Sequence, residues 1–316
     1  MSSRDWKNWC DVTGLPSPIN RRFLPVPCGL VSATIASLPR IVVEKFILDT
    51  IPLVIQPAHG GRELLDEIAN APCATPRLWW LGHSGFALKY RNAIVYVDPL
   101  LSTTRADRLV APPFAAAEVA HAGLILCTHA HVGHLDPDTV PAMLAASRRA
   151  KVVMPMSAAP HAHTMGIAYQ RMVTTNADLR VEFLDDRIYA VPSAHPQLGW
   201  TPLGGYPYLG YLVRFGPYTI YHAGDGVPYD RLAERLRPYN VTVALLPIGG
   251  ANNFKIREAA ELAQQIGAEW LVPMHYDMFP SCAVEVDRFI EHMLERHPGQ
   301  RFKVFQCGEG WSIPGE

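Results

Sequence analysis

The run Gly123-Leu124-Ile125-Leu126-Cys127-Thr128-His129-Ala130-His131-Val132-Gly133-His134-Leu135-Asp136 decides the fold. Its opening residues are apolar and read as a buried strand. Three histidines follow within six residues. On extended backbone, side chains two apart point the same way, so His129 and His131 can grip one ion. His134 falls where the chain turns toward a helix and reaches a neighbouring position. Three imidazoles crowded at one strand end are hard to account for as packing.

Further polar residues follow in order. A strand-like run, Ile188-Tyr189-Ala190-Val191, leads to Ser193-Ala194-His195-Pro196. Tyr218-Thr219-Ile220-Tyr221 leads to His222-Ala223-Gly224-Asp225-Gly226, and Trp270-Leu271-Val272-Pro273-Met274 leads to His275-Tyr276-Asp277. Each polar group sits just past the C-terminal end of an apolar strand, where a layered α/β scaffold collects its chemistry.

With these residues the chain resembles a metallo-β-lactamase-fold protein. The resemblance implies a four-layer αββα sandwich. It implies that His129, His131 and His195 form one metal site, that Asp225 bridges, and that His134 and His275 belong to a second site. Asp225 and His275 would then carry the catalysis. A finer similarity is to the ascorbate-6-phosphate lactonase-like branch. It rests on Leu78-Trp79-Trp80-Leu81-Gly82-His83-Ser84-Gly85-Phe86, Val95-Tyr96-Val97-Asp98-Pro99, Leu246-Pro247-Ile248-Gly249-Gly250 and Pro273-Met274-His275-Tyr276-Asp277-Met278-Phe279. That branch also resembles phosphodiesterases of the N-acylphosphatidylethanolamine phospholipase D type. One departure stands out. The family motif is His-x-His-x-Asp-His, and its Asp is a ligand of the second metal; this chain has Gly133 there. Either one ion is held by His129, His131, His195 and Asp225, leaving His134 and His275 for substrate, or a second ion binds with a water or substrate oxygen in place of the carboxylate.

A divalent ion on neutral imidazoles and one carboxylate lowers the pKa of bound water from 15.7 toward about 7. Ligating histidines need a partner on the other ring nitrogen. Asp98 and Asp136 are candidates for it, and equally a turn Asp before Pro99 and a helix cap before Pro137. His83 lies at the edge of the expected site and can contact substrate or fill the gap at Gly133. His222, Tyr276 and Asp277 adjoin the expected ligands and are further candidates. His161 and His163 also spell His-x-His, but on a helix such residues point apart. His59, His121, His292 and His297 read as surface residues. No serine or cysteine nucleophile constellation and no phosphate loop is evident.

The chain has 316 residues, 49% hydrophobic and only 18% charged, enough for a substantial core. The formal net charge of −1 leaves no footprint for nucleic acid. Six scattered cysteines form no Cys-x-x-Cys pair, and Cys127 reads as core. No secretory signal is visible, so a cytoplasmic protein is expected. Residues 1–75 read as an N-terminal extension with helical segments around 40–50 and 61–70. Residues 76–316 read as the metallo-β-lactamase-fold domain. The apolar stretch Gly29–Pro57 carries charges that exclude a membrane span; it is expected to pack on the main domain or on a second copy of the chain.

The expected function is a metal-dependent hydrolase using metal-bound hydroxide on an ester, lactone or phosphodiester bond of a small, anionic metabolite. One or two divalent ions are implied: zinc, manganese or iron. The alternatives are iron-dependent redox chemistry on the same fold and a non-catalytic relative whose second site has decayed.

Overall fold

In β1 (Arg77–Gly82), β2 (Gly85–Tyr90) and β3 (Ala93–Val97), alternate residues face two different cores. Leu78, Trp80, Phe86, Leu88, Val95 and Val97 enter a cluster shared with a second sheet. Trp79, Leu81, Ala87, Ile94 and Tyr96 enter another, against helices. Strands buried on both faces have no polar side to show, which is why these runs are apolar almost without interruption.

The computed structural model describes residues 54–72 and 74–315. The first sheet has the order β14-β1-β2-β3-β4-β5-β6, with β4 at Leu124–Leu126, β5 at Lys151–Pro155, β6 at Met172–Thr175 and β14 at Gly310–Ser312. The second runs β13-β12-β11-β10-β9-β8-β7, with β7 at Arg180–Phe183, β8 at Asp186–Pro192, β9 at Leu209–Phe215, β10 at Tyr218–His222, β11 at Val243–Pro247, β12 at Trp270–Met274 and β13 at Arg301–Phe302. The two sheets repeat one plan. Antiparallel pairs link β14 to β1, β2 and β3, and β7 to β8, β9 and β10. Parallel pairs then link β3 through β6 and β10 through β13.

Helices cover the outer faces. On the first sheet lie α1 (Gly61–Asn70), α2 (Thr139–Ala146) and the short α3 (Ala159–Thr164), which contribute Leu64, Leu65, Ile68, Val140, Met143 and Ala162 to the outer core. On the second lie α4 (Leu232–Leu236), α5 (Ile256–Ile266) and α6 (Val286–Arg296); α5 buries Ala259, Ala260 and Ala263 and α6 buries Phe289 and Met293. The result is the expected four-layer αββα sandwich.

The segment read as helical at 61–70 is α1. It docks on the sheet edge through Glu67, which accepts from Arg77 and from Trp79 Nε1 (3.2 Å), and through Ala69 O, which accepts from Lys89 Nζ (2.6 Å). The helix expected at 40–50 and nearly all of Gly29–Pro57 lie outside the described residues. Helix α4 starts only at Leu232, because Arg231 takes a left-handed backbone with φ 66°. Among the described residues no helix is long and apolar enough to cross a membrane.

Candidate metal centre

The parallel strands end together, and the loops leaving them meet. Asp98 leaves β3, Thr128 to His134 follow β4, His195 follows β8, Asp225 follows β10 and His275 follows β12. The Asp98 carboxylate is wholly buried and organises the first loop. Thr128 donates to it from both its backbone N (2.8 Å to Oδ1) and its hydroxyl (2.6 Å to Oδ2). His134 Nδ1 donates to the same Oδ2 at 2.7 Å. With its proton committed to Asp98, the Thr128 hydroxyl accepts from His129 Nδ1 at 3.0 Å. His195 Nδ1 donates to Asn252 O at 3.1 Å. Three imidazoles are thus anchored through Nδ1, which leaves Nε2 of each free for an ion. This assignment of tautomers follows from the hydrogen-bond network.

Three groups of donors result, one of them His83, His275 and Cys282. His129, His131 and His195 place one donor atom each within 4.8 Å of one another. His129 Nε2 and His131 Nδ1 are 3.0 Å apart. His129, His134 and Asp225 form the second group under the same distance. Asp225 stands between the groups: Oδ1 lies 3.2 Å from His134 Nε2 and 3.3 Å from His275 Nε2, and Oδ2 lies 3.9 Å from His195 Nε2.

The charge states suit a cation. Burial, and then the charge on His134, hold His129 well below the usual imidazole range. Burial, with His195 next, lowers His131 to about 4, and burial also lowers His195. These rings are neutral near pH 7 and offer lone pairs. Burial opposes a charge on His134 too, but the carboxylates of Asp225 and Asp98 outweigh it and raise His134 to about 10. Asp225 is held well below the carboxylate range, because His134 and His275 overcome its burial. A metal ion fits this set on one further observation. The buried Asp225 Oδ1 accepts no hydrogen bond, since neither nearby imidazole has the required geometry. A buried carboxylate oxygen without a donor is costly unless a cation faces it.

A family description, the β-lactamase superfamily domain, matches residues 77–275. A UPF0173 metal-dependent hydrolase of Pyrococcus furiosus is 31% identical over 243 residues, covering 75% of this chain and 98% of the relative. The chain belongs to the β-lactamase superfamily, among the UPF0173 metal-dependent hydrolases. A relative from Methanopyrus kandleri is 30% identical, over 74% of this chain and 99% of its own length. Among solved structures, a metallo hydrolase of Ignicoccus hospitalis superposes with a TM-score of 0.62 at 22% identity, over 77% of this chain and all of that one, and shares the fold.

In this member of the superfamily four flanking candidates turn to other partners. Asp136 accepts from Asp138 N (3.3 Å) and from the Thr139 hydroxyl, closing the turn into α2. His222 is fully buried below the site: Nε2 donates to Ser84 O (2.8 Å) and Nδ1 accepts from Gly224 N (3.1 Å), tying the β1–β2 turn to the Asp225 loop. Tyr276 stacks on Trp80 at 5.0 Å and donates to Phe305 O at 3.2 Å. Asp277 accepts from Val284 N at 2.8 Å. His161 and His163 sit on α3 and are exposed, with His163 stacked on Tyr169 at 4.3 Å. His121 is half-buried, its Nε2 2.8 Å from the Tyr96 hydroxyl.

Sequence reasoning missed three groups. Thr128 relays between Asp98 and two histidines; its place directly before His129 was the available signal. Cys282 puts its sulfur within 4.8 Å of donor atoms of His83 and His275. Arg105 lines the same cavity of about 310 Å³ as His131, His195, Asp225, Asn252 and Ser281. Its guanidinium lies 3.9 Å from the Phe279 ring centroid and is braced by two hydrogen bonds to Asp107, at 3.0 and 2.7 Å. Nothing local in the sequence marks either residue.

Proposed function

We propose that this chain hydrolyses an ester, lactone or phosphodiester bond in a small anionic metabolite, with one or two divalent ions as cofactor. The observation that carries the reading is the convergence of His131, His195, His134, His275 and Asp225 on one open cavity, with the buried His129 within 4.8 Å of donor atoms of His131 and His195 and three of the imidazoles anchored through Nδ1. His129, His131 and His195 would hold one ion, and His134, His275 and Asp225 the other. Bound there, such ions acidify water and polarise an acyl or phosphoryl oxygen.

The chain's own groups supply the rest. Asp225 Oδ1, buried and without a donor, would face the ions and help to hold them. His275 stands beside it, its Nε2 3.3 Å away. Arg105 at the cavity wall supplies a fixed positive charge, and Asn252 and Ser281 supply neutral hydrogen-bonding groups, a lining suited to a carboxylate or phosphate on a small substrate.

The test is a panel of lactones, carboxylic esters and phosphodiesters, each in charged and neutral versions, assayed with protein loaded with zinc, manganese or iron. Hydrolysis of an anionic member is expected. In Arg105→Ala, KM for that substrate should rise about tenfold with kcat little changed. Oxygen consumption by the iron form without hydrolysis would replace the reading by redox chemistry. Absence of bound metal would make the chain a non-catalytic relative.

A further inference from the structure

Position 133 lies between His131 and His134, and as glycine it brings no donor to the site. The space above it is filled. A Cβ added at Gly133 would come 2.9 Å from His83 Cε1 and 3.6 Å from both of that ring's nitrogens. His83 comes from the distant β1–β2 turn, so its arrival there is a product of the fold.

The ring is built into place. His83 is only 6% exposed, and its Nδ1 is buried with no hydrogen-bond partner. The same is true of His275, 8% exposed, whose Nδ1 is also unpartnered. The two rings lie 3.9 Å apart, centroid to centroid, and His83 lies 5.3 Å from His134. Both residues take left-handed backbone, φ 53° for His83 and 59° for His275, which costs a non-glycine residue energy. The strain is held from both sides: His275 N donates to His83 O at 2.9 Å, and Trp80 Nε1 donates to the same oxygen at 3.0 Å. Two strained, buried, unsatisfied imidazoles packed on one another are unfavourable as plain core.

We infer that His83 is a metal ligand of the second site, occupying the space above Gly133 and completing a set of His83, His134, His275 and Asp225. The inference rests on the metal-dependent reading of the site. It gives the second ion three neutral or neutralisable imidazoles where a side-chain carboxylate at position 133 would have supplied negative charge. That ion keeps more of its positive charge, which favours an anionic substrate oxygen. Cys282 is close enough to compete, but its thiol donates to Phe279 O at 3.4 Å.

The test is zinc titration of the metal-free full chain by calorimetry, with bound zinc counted independently. The wild type is expected to bind two equivalents. His83→Ala should weaken one step by at least about tenfold, the range seen when a supporting partner of a metal ligand is lost, and leave the other unchanged. Gly133 has no left-handed φ, so a side chain is tolerated there once the ring is gone. His83→Ala/Gly133→Asp should therefore regain the lost step, whereas Gly133→Asp alone, which drives its Cβ into His83, should not tighten it. Cys282→Ser should bind like the wild type. Two wild-type steps in His83→Ala, or loss of a step in Cys282→Ser instead, would overturn the assignment while leaving the metal-dependent reading intact. A wild type that binds no zinc would remove that reading and the assignment together. Should His83→Ala fail to fold, a zinc-loaded crystal of the wild type decides: a ring nitrogen of His83 at about 2.1 Å from zinc supports the assignment, and a larger separation overturns it.

Discussion

In the outer cluster His131 is exposed, His195 half-buried and His129 buried, and burial holds all three rings neutral near pH 7. The inner cluster, His83, His134 and His275, is buried throughout, each residue under 10% exposed, around a buried Asp98–His134–Asp225 line that carries formal charge. The outer cluster is assembled from neutral rings anchored by Thr128 and by a backbone carbonyl. The inner one needs a proton on His134 to balance two carboxylates whenever no ion is there. The difference teaches that two sets of similar residues can differ in what they cost the fold. The outer set holds neutral rings whether or not an ion is there, and the inner set is held together by opposite charges, one of which an ion would have to displace.

The largest effect should come from removing the outer anchors. His129→Ala or His195→Ala is expected to lower kcat/KM on the order of a thousandfold and to remove metal from the outer position, with folding stability nearly unchanged. Metal content and rates measured side by side check this; wild-type values for both would break the outer half of the comparison.

The inner cluster should show the reverse balance. Asp98→Ala strips Thr128 and His134 of their shared acceptor, and it should cost about 3–5 kcal/mol of stability as a buried ion pair loses one member. Denaturant unfolding reads that cost directly, and Asp98→Asn should recover part of it. An unchanged unfolding midpoint in Asp98→Ala would mean that the inner charges are not holding the loop.

A smaller effect separates the clusters by pH in the metal-free chain. His134 is raised in the folded state to about 10 from an ordinary value near 6.5. Its contribution is therefore complete below about pH 6.5 and fades as the pH climbs through 10. His131 is lowered to about 4, so its neutral form contributes above about pH 6.5 and that part is lost as the pH falls toward 4. Unfolding free energies at pH 5, 7 and 10 should thus fall on both sides of neutrality. His134→Ala should flatten the alkaline limb and leave the acid limb in place, and His131→Ala should make the acid limb shallower, since His129 and His195 also contribute to it, without changing the alkaline one. A single limb, insensitive to both substitutions, would merge the two clusters into one.

Much of the fold was legible because its interior strands are buried on both faces. Leu124-Ile125-Leu126 and Val243–Pro247 announce themselves as apolar runs. Three of the edge strands were not legible. Met172–Thr175, Arg301–Phe302 and Gly310–Ser312 are short and mixed in character, and they become strands only because a neighbour offers hydrogen bonds. In the site, residues at the ends of apolar runs could be read by position: His129, His131, His195, Asp225 and His275. Asp98 and Asp136 looked alike in sequence, each beside a proline. Only the three-dimensional arrangement gives His134 to Asp98 and a helix start to Asp136. His83 was legible as a residue able to contact substrate or fill the gap at Gly133, but which of the two depends on a contact between residues 50 apart in sequence. Arg105 and Cys282 reach the cavity from loops with no pattern of their own.

The central claim is that two distinct metal positions share Asp225. Anomalous diffraction at the zinc edge from a zinc-loaded crystal tests it most directly. The account predicts two peaks, one among His129, His131 and His195 and one among His134, His275 and Asp225. A single peak, or zinc bound away from Asp225, would contradict it.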